Sequence, residues 1–262
     1  MSFDWPFFWG RLVNPGDAYI TALGRTIVMA ILAMALGVLI GVIVGFGRLS
    51  RFKLLSGACA FYVWFVRGIP VLVLLVFFFS GLAAAGLFRF SDVTILGFSI
   101  SASFQAAVVA LAIHEGAYMA EIVRNGIQAV ARGQIEAAKS VGMGTWLLTR
   151  RIVLPQATRV IVPPLGNDFN HMLKTTSLAS VIGVQEIFQL TESMSATTFR
   201  TFELLIAVSL TYLTLTTVWN VVQGIIETKL RAHELDASVR NWREAVQVYF
   251  RTGAGSAGER RS

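Results

Sequence analysis

The chain has few charged residues and is poor in the side chains that build metal sites. Asp, Glu, Lys and Arg make up 14% of its 262 residues, and Cys59 is its single cysteine. One thiol can form neither an intramolecular disulfide nor a thiolate metal site. The histidines, His114, His171 and His233, are too scattered for a zinc motif. We expect no metal site, and a membrane-embedded enzyme built on these residues is disfavoured.

Long apolar runs are the dominant feature, because 55% of the residues are hydrophobic. A helix that crosses a bilayer needs about 20 mainly apolar residues. Runs of that kind lie at 21–46, 58–80, 98–122, 157–182 and 202–226. They lack the period-2 alternation of barrel strands. The sequence predicts an all-α membrane protein with five transmembrane helices.

Three parts follow along the chain. Residues 1–20, rich in Trp and Phe, are expected at the membrane interface on the outer side. A transmembrane domain is expected over 21–232. Residues 233–262 form an expected cytoplasmic tail, with an amphipathic helix near 239–246 and a frayed end.

The distribution of basic residues predicts orientation. Many lie in the segments after the first, third and fifth runs: Arg48, Arg51, Lys53, Arg124, Arg132, Lys139, Arg150, Arg151, Arg159, Lys229, Arg231, Arg240, Arg243, Arg251, Arg260 and Arg261. The other side has little beyond Arg11, Arg89 and Arg200. By the positive-inside rule the N-terminus is outside and the C-terminus is cytoplasmic. The net charge of +7 therefore encodes topology, and we expect no nucleic-acid partner.

A short polar hairpin is predicted over 134–155, between the third and fourth runs. Good helix formers end at Gly142, the expected first residue past the helix, and a second helix is expected from Met143 to Ile152, before Pro155. Small side chains at Ala137, Ala138 and Gly142 would let a partner approach the backbone. Glu136 and Lys139 would fix its register through charged hydrogen bonds.

The pattern Glu136-Ala137-Ala138, Gly142 and Ile152-x-Leu154-Pro155 resembles the coupling signature of bacterial ATP-binding-cassette (ABC) importer permeases. Further segments resemble the polar amino-acid branch of that family: Phe65–Pro70, His114–Ile127 and Leu173–Val184. The resemblance covers residues from about 20 to 230. Ile69 and Thr175 depart from the branch, which more often has Thr and Asp there.

The resemblance implies a type I ABC importer permease fold in the bacterial inner membrane. It also implies partners: two ABC ATPase subunits, a second permease subunit that is the same or a paralogue, a periplasmic solute-binding protein and an amino-acid substrate. The hairpin would be the coupling helix that docks on the ATPase. The chain has no Gly-x-x-x-x-Gly-Lys-[Ser/Thr] loop, so ATP and magnesium are expected on the partner and no cofactor on this chain.

The fourth run is the least apolar and predicts a substrate pathway. It contains Pro163, Pro164 and Gly166, which predict a broken helix. Its polar residues recur at helical spacing and predict one stripe facing a bundle interior or an aqueous cavity: Asn167, Asp168, Asn170, His171, Lys174 and Ser177.

Arg67 and Asp168 form a hypothetical substrate clamp. At about 1.5 Å per residue, each lies roughly 15 Å into its run from the cytoplasmic side, near the membrane midplane. A zwitterionic amino acid would place its carboxylate on Arg67 and its ammonium on Asp168. A permanent Arg67–Asp168 ion pair, or separate helix-end contacts, would satisfy both charges equally well.

Two further features concern helix packing. Glu115 and Glu121 are expected to pair with arginines such as Arg124, with a proton relay as the alternative. Gly37, Gly41 and Gly45 form a small-residue seam that permits close helix packing, within the subunit rather than across a dimer.

Two other transport functions remain open at this point. An ion-driven secondary transporter is one alternative, although no inverted repeat is detected. An ABC permease for an amino-acid derivative such as an opine is the other.

Overall fold

The computed structural model describes residues 3–95 and 97–253, with the backbone path alone for 231–253. The α-helices are α1 (Trp5–Val13), α2 (Asp17–Arg48), α3 (Lys53–Arg67), α4 (Val71–Val76), α5 (Leu82–Ala84), α6 (Ala102–Gln128), α7 (Arg132–Ser140), α8 (Thr145–Leu148), α9 (Leu154–Thr175), α10 (Ile187–Thr198) and α11 (Thr201–Gly253). Two antiparallel strands, β1 (Val93–Ile95) and β2 (Phe98–Ile100), pair in a hairpin before α6. The fold is therefore helical apart from this hairpin.

The contacts divide the chain into two units, Met1–Trp219 and Asn220–Ser262. The first contains the helices α1 to α10 and the start of α11. The second is described as the remainder of α11, so the amphipathic helix expected near 239–246 belongs to one long helix. The frayed end expected for the tail falls mostly on residues 254–262, outside the described residues.

Within the described residues, three helices are long and apolar enough to cross a membrane: Asp17–Arg48, Ala102–Gln128 and Thr201–Leu230. A fourth crossing results if Lys53–Arg67 and Val71–Ala84 act as one span. The predicted run 157–182 corresponds to α9 and the 3₁₀ helix Thr176–Ile182. Its polar residues make its mean hydropathy too low for it to count among these candidate spans. The count of five transmembrane helices therefore stays a prediction.

The second predicted run, 58–80, is not one straight helix. α3 ends at Arg67, and the chain turns by 102° before the segment Val71–Ala84. Gly68 caps α3, and Pro70 disfavours helical geometry at Ile69 and lacks a backbone donor. α3 and the segment after it cannot both follow the membrane normal, and the depth of Arg67 in the membrane stays a prediction.

In the fourth predicted run the error is the opposite one: a broken helix was predicted, but the prolines do not break it. α9 continues as an α-helix from Leu154 to Thr175 through Pro163 and Pro164. The helix changes only at Thr176, where the 3₁₀ segment begins. The polar residues up to Lys174 therefore keep regular helical spacing.

The tightest packing joins α2 to α6. Gly37, Gly41 and Gly45 are all buried on α2 and face α6. A Cβ added at Gly41 would collide with Met119 and the backbone of Ala120. The predicted seam is thus confirmed as a contact within the subunit, and it holds two of the membrane-spanning candidates at close range.

A second anchor lies beyond the 3₁₀ helix, at the fully buried Glu186. Its carboxylate caps α10 by accepting a hydrogen bond from the Gln189 N–H at 2.7 Å. The same carboxylate accepts hydrogen bonds from the hydroxyl of Tyr212 on α11 at 2.9 Å and from that of Thr26 on α2 at 3.4 Å. Three helices are therefore tied together just beyond the 3₁₀ segment that follows α9.

The N-terminal segment packs on the start of α11. Asp4 caps α1 and forms an ion pair with Arg200 at 2.8 Å. Trp5 and Trp9 remain more than half exposed, as interfacial aromatic residues do. The interfacial position of residues 1–20 stays a prediction.

Candidate functional site: a polar hairpin and a polar helix face

The predicted hairpin begins with α7, which ends in a Schellman motif. Gly142 has φ = 80°, and its N–H donates to the Lys139 carbonyl at 2.9 Å. The Met143 N–H donates to the Ala138 carbonyl at 3.0 Å. A positive φ is favourable only for glycine. Gly142 is therefore confirmed as the residue that ends this helix and sets the direction of the turn.

The inner side of the hairpin forms its own small core. Buried Ala138 packs with Val130, Leu148 and Val153, and Met143 packs against this cluster. Ala138 is only 4% exposed, so the expectation that a partner approaches it directly is wrong. Its small size instead lets α7 close against α8.

The outer side of the hairpin is open. Glu136, Ala137 and Lys139 are exposed on α7, and two apolar side chains stand out at the turn, Val141 at 76% and Trp146 at 74% exposed. An exposed apolar pair beside opposite charges has the composition of a docking surface. Sequence reasoning missed Val141 and Trp146, although apolar residues in a polar hairpin were a visible signal.

The hairpin does not end at Pro155. α8 continues through a π-helical turn, Thr149–Val153, directly into α9. Pro155 lies in the first turn of α9, where a missing N–H is tolerated. The prediction that the second helix of the hairpin ends at Ile152 is therefore wrong, because the helical path continues into α9. One continuous helical path therefore joins the hairpin to the polar residues of α9.

The polar residues of α9 lie largely on one open face. Asn167, His171 and Lys174 are exposed, whereas Asp168 and Asn170 are half-buried. Ser177 lies in the 3₁₀ segment, and its hydroxyl donates to the Lys174 carbonyl at 2.7 Å. The structure thus keeps the predicted stripe together, with Ser177 turned to its own backbone.

Arg67 lies at the end of α3 and is exposed. Its guanidinium stacks over the Tyr118 ring of α6, 4.8 Å from the centroid. It lines a cavity of about 540 Å³ together with Arg48, Ala60, Val63, Trp64, Gly68, Tyr118 and Glu121. Among the described residues no ion pair joins Arg67 to Asp168, so the permanent pair is absent.

The two glutamates of α6 have different surroundings. Glu121 pairs with Arg124 at 2.9 Å and with Arg48, which confirms the expected pairing for that residue. Glu115 is 5% exposed, lies against Gly37, and interacts electrostatically with Asp168. The expected arginine partner is therefore wrong for Glu115. The sequence contained a signal for this difference: Glu115 is six residues from Glu121, so the two side chains point to different sides of α6.

Imidazoles join α6 and α9 beside these carboxylates. His171 interacts electrostatically with both Asp168 and His114, and the His114 ring lies 5.0 Å from the Tyr118 ring. Tyr118 in turn lies under Arg67. A series of polar side chains on α3, α6 and α9 therefore leads from Arg67 through Tyr118 and His114 to His171. Within the described part of the chain, no group of three or more His, Cys, Asp or Glu side chains is arranged to hold a metal ion.

A helical subunit with several candidate membrane spans, and with an exposed hairpin that continues into a helix with a polar face, has the architecture of a transporter permease. The family model for the binding-protein-dependent transport system inner membrane component matches residues 37–232, so the chain belongs to that family. It is a multi-pass membrane protein with an ABC importer permease fold.

Curated relatives are permease proteins of bacterial transport systems. The chain is 38% identical over 210 residues to the arginine transport system permease protein ArgU of Corynebacterium glutamicum, with 79% of this chain and 66% of ArgU aligned. It is 32% identical to the glutamine transport system permease protein GlnP of Escherichia coli (88% and 99%). It is 35% identical to the nopaline transport system permease protein NocM of Agrobacterium fabrum (82% and 88%).

Solved structures agree with this assignment. A crystal structure of an amino acid ABC transporter with histidines has a chain that is 33% identical, with a TM-score of 0.75 over 87% of this chain and 100% of that one. The inward-facing MetNI methionine ABC transporter has the same fold at 18% identity, with a TM-score of 0.66 over 87% and 99%.

Proposed function

We propose that this chain carries polar amino acids across the bacterial inner membrane as one permease subunit of an ABC importer. The observation that supports this most directly is the continuous helical path from the exposed hairpin to the polar face of α9. Relatives named for arginine, glutamine and nopaline support an amino acid, or a derivative such as an opine, as the substrate class.

The assembly would contain two ATPase subunits, a second permease subunit and an external solute-binding protein. ATP and magnesium bind to the ATPase, and this chain is not itself an enzyme. The hairpin lies in the cytoplasm, with the N-terminus outside and the C-terminus inside. The excess of Lys and Arg in the segments on the hairpin side supports this orientation.

Coupling would use the outer side of the hairpin. Val141 and Trp146 enter a groove of the ATPase, and Glu136 and Lys139 fix the register, with Ala137 against the partner surface. ATP binding closes the ATPase pair and draws the hairpins together, which opens the membrane helices outward. Hydrolysis resets them inward.

The substrate would move along the surface between Arg67 and α9. Its carboxylate contacts Arg67, whose guanidinium has no carboxylate partner among the described residues. Its ammonium contacts Asp168, with Asn167, Asn170, His171 and Lys174 lining the same path.

The coupling role is tested by Glu136→Arg, which reverses an exposed charge on the outer side of α7. We expect ATP-driven uptake by the reconstituted importer to fall at least about tenfold, because a repulsive charge at the docking surface costs the 1.4 kcal/mol or more that corresponds to that factor. The control is Glu192→Arg, the same reversal at an exposed site on α10. Membrane levels should be equal in both variants.

Two outcomes would refute the proposal. One is wild-type uptake by Glu136→Arg. The other is uptake that continues with ATP depleted and the ion gradient intact, which is the behaviour of a secondary transporter.

A further inference from the structure

Arg25 is a positive charge inside the apolar helix α2. The only other charged residues of that helix are Asp17 at its start and Arg48 at its end. A cation within a membrane-spanning run needs water, a counter-charge or a polar ligand. The ion pairs formed within 3–95 and 97–230 all involve other basic residues. Arg25 is therefore not neutralised by a carboxylate of the described residues.

The guanidinium of Arg25 lines a cavity of about 640 Å³. The cavity lies between α2, β2, the start of α6 and the residues that follow the 3₁₀ helix. The Nη1 atom of Arg25 donates to the Gln185 carbonyl at 3.3 Å and to Gln185 Oε1 at 3.1 Å. No described residue accepts a hydrogen bond from its Nη2 or Nε atom. Gln185 thus positions the guanidinium and leaves donors for a ligand.

The α2 wall of the cavity changes from polar to apolar along the helix. Thr21, Arg25, Val28 and Leu32 recur at helical spacing and all line the cavity. Leu32 is seven residues beyond Arg25, a rise of about 10 Å. One leaflet of a bilayer has a hydrocarbon depth of about 15 Å. The wall therefore has the polarity and the dimensions of one end of a lipid molecule.

The α6 wall supplies hydroxyl groups at the polar end. Gly37 of α2 meets Glu115 of α6, and Gly45 meets Val123, so the two helices run in the same direction. The same offset in residue number brings Ser103, which lines the cavity, level with the arginine. Among the described lining residues none is acidic. A zwitterionic amino acid would find no carboxylate here for its ammonium, whereas an anion with an apolar chain would be matched.

The cavity opens onto a face of α2 that has the composition of a lipid contact. Its stripe continues along the helix as Leu36, Leu39 and Ile43, all of which are exposed. Contacts between membrane helices typically use small or polar residues, as the glycine seam on another side of α2 does. Large aliphatic side chains without such residues favour an acyl chain over a second helix at this face.

We propose that the cavity binds an anionic phospholipid. The phosphate accepts hydrogen bonds from the free guanidinium N–H groups of Arg25 and from the Ser103 hydroxyl, and one acyl chain lies along Val28 and Leu32. The bound lipid joins α2 to the segment that carries Gln185, directly before the Glu186 anchor.

Native mass spectrometry of the detergent-solubilised permease–ATPase complex, titrated with phosphatidylglycerol, tests this site. Arg25→Gln should weaken binding about tenfold, because it removes a charged hydrogen bond to phosphate. Arg25→Lys, which keeps the charge, should lose about threefold or less. The matched control is Arg89→Gln, the same substitution at an exposed arginine that does not line the cavity. It should bind as wild type does.

A second variant removes the space and keeps the charge. Gly24 lines the cavity, and a Cβ added there meets no atom within 4 Å, so the ring of Gly24→Phe can enter without a clash. It should also weaken phosphatidylglycerol binding about tenfold. Wild type should bind phosphatidylcholine at least about threefold more weakly, because its choline offsets the phosphate charge. Glycerol 1-phosphate should not compete, since it has no acyl chain.

Three outcomes would overturn the inference. One is equal affinity of wild type and Arg25→Gln for phosphatidylglycerol. Another is competition by glycerol 1-phosphate as strong as that by the lipid, which indicates a site for a free anion. The third is unchanged lipid binding in Gly24→Phe with loss of a permease copy from the complex, which indicates that a second subunit covers the cavity. If Arg25→Gln does not assemble, Gly24→Phe and the preference over phosphatidylcholine decide.

Discussion

The two sides of helix α6 show how one membrane helix serves both stability and transport. Towards α2, the glycines at 37, 41 and 45 bring the backbones together, and Met119 and Ala120 fill the contact. The same helix also carries polar side chains. His114 interacts electrostatically with His171 of α9, Tyr118 lies under Arg67 of α3, and Glu115 lies against Gly37 of α2 and interacts electrostatically with Asp168 of α9. Neither side has room for a methyl group at its closest contact, Gly41 towards α2 or Gly126 towards α9. The difference is in the polar groups: among the described residues, the Oε1 atom of Glu115 has no hydrogen-bond partner.

The difference indicates a division of work. A tight contact between small residues has a single arrangement and acts as a fixed element during the transport cycle. A polar contact with unsatisfied groups can exchange partners when a substrate or water arrives. Substitutions on the two sides should therefore differ in kind.

The largest effect is expected on the packed side, from Gly41→Ala. The new methyl group would meet the Met119 Cβ and the backbone of Ala120, neither of which can rotate away. Overpacking of this kind costs about 3 kcal/mol. The thermal midpoint of the purified permease–ATPase complex should fall by several degrees. Gly24→Ala is the matched control on α2, since no atom lies within 4 Å of its added Cβ. Similar midpoints for the two variants would contradict the seam.

This packed side could be predicted from the sequence, because glycines repeated every four residues in an apolar run typically mark a close contact between two helices. The class of protein and the turn at Gly142 could be predicted as well, from a motif and from the need for positive φ. The predictions of where a helix breaks and where it continues were wrong. Pro70 ends helical geometry, whereas Pro163 and Pro164 lie within an intact helix. A single sequence gives the breaker residues but not the tertiary packing that overrides them.

The polar side was only partly predictable. Helical spacing placed Asn167, His171 and Lys174 on one face because α9 is regular there. The environment of Glu115 depends on contacts with Gly37 and Asp168, which are distant in sequence. The same limit applies to Ala138, whose burial results from packing against Leu148 across the turn.

A smaller effect, on binding rather than folding, is expected from Asp168→Asn and Arg67→Ala on the polar side. Each removes one charge of the proposed clamp, and a charged hydrogen bond is worth enough for about a tenfold loss of affinity. Substrate binding to the permease–ATPase complex and uptake by the full importer provide the measurements. The thermal midpoints should remain near that of wild type, in contrast to Gly41→Ala. Unchanged affinity and uptake in both variants would eliminate the clamp.

The smallest effect is expected from Glu121→Gln, near the C-terminal end of α6 and close to the polar hairpin. Glu121 pairs with Arg48 of α2 and Arg124 of its own helix, and its side chain is 27% exposed. Partly exposed pairs contribute only about 1 kcal/mol or less, and salt screens them. The thermal midpoint should fall by a degree or two at low ionic strength and less at high ionic strength, with Glu192→Gln as the control. A loss as large as that of Gly41→Ala would mean that this ion pair, rather than the glycine seam, holds α2 and α6 together.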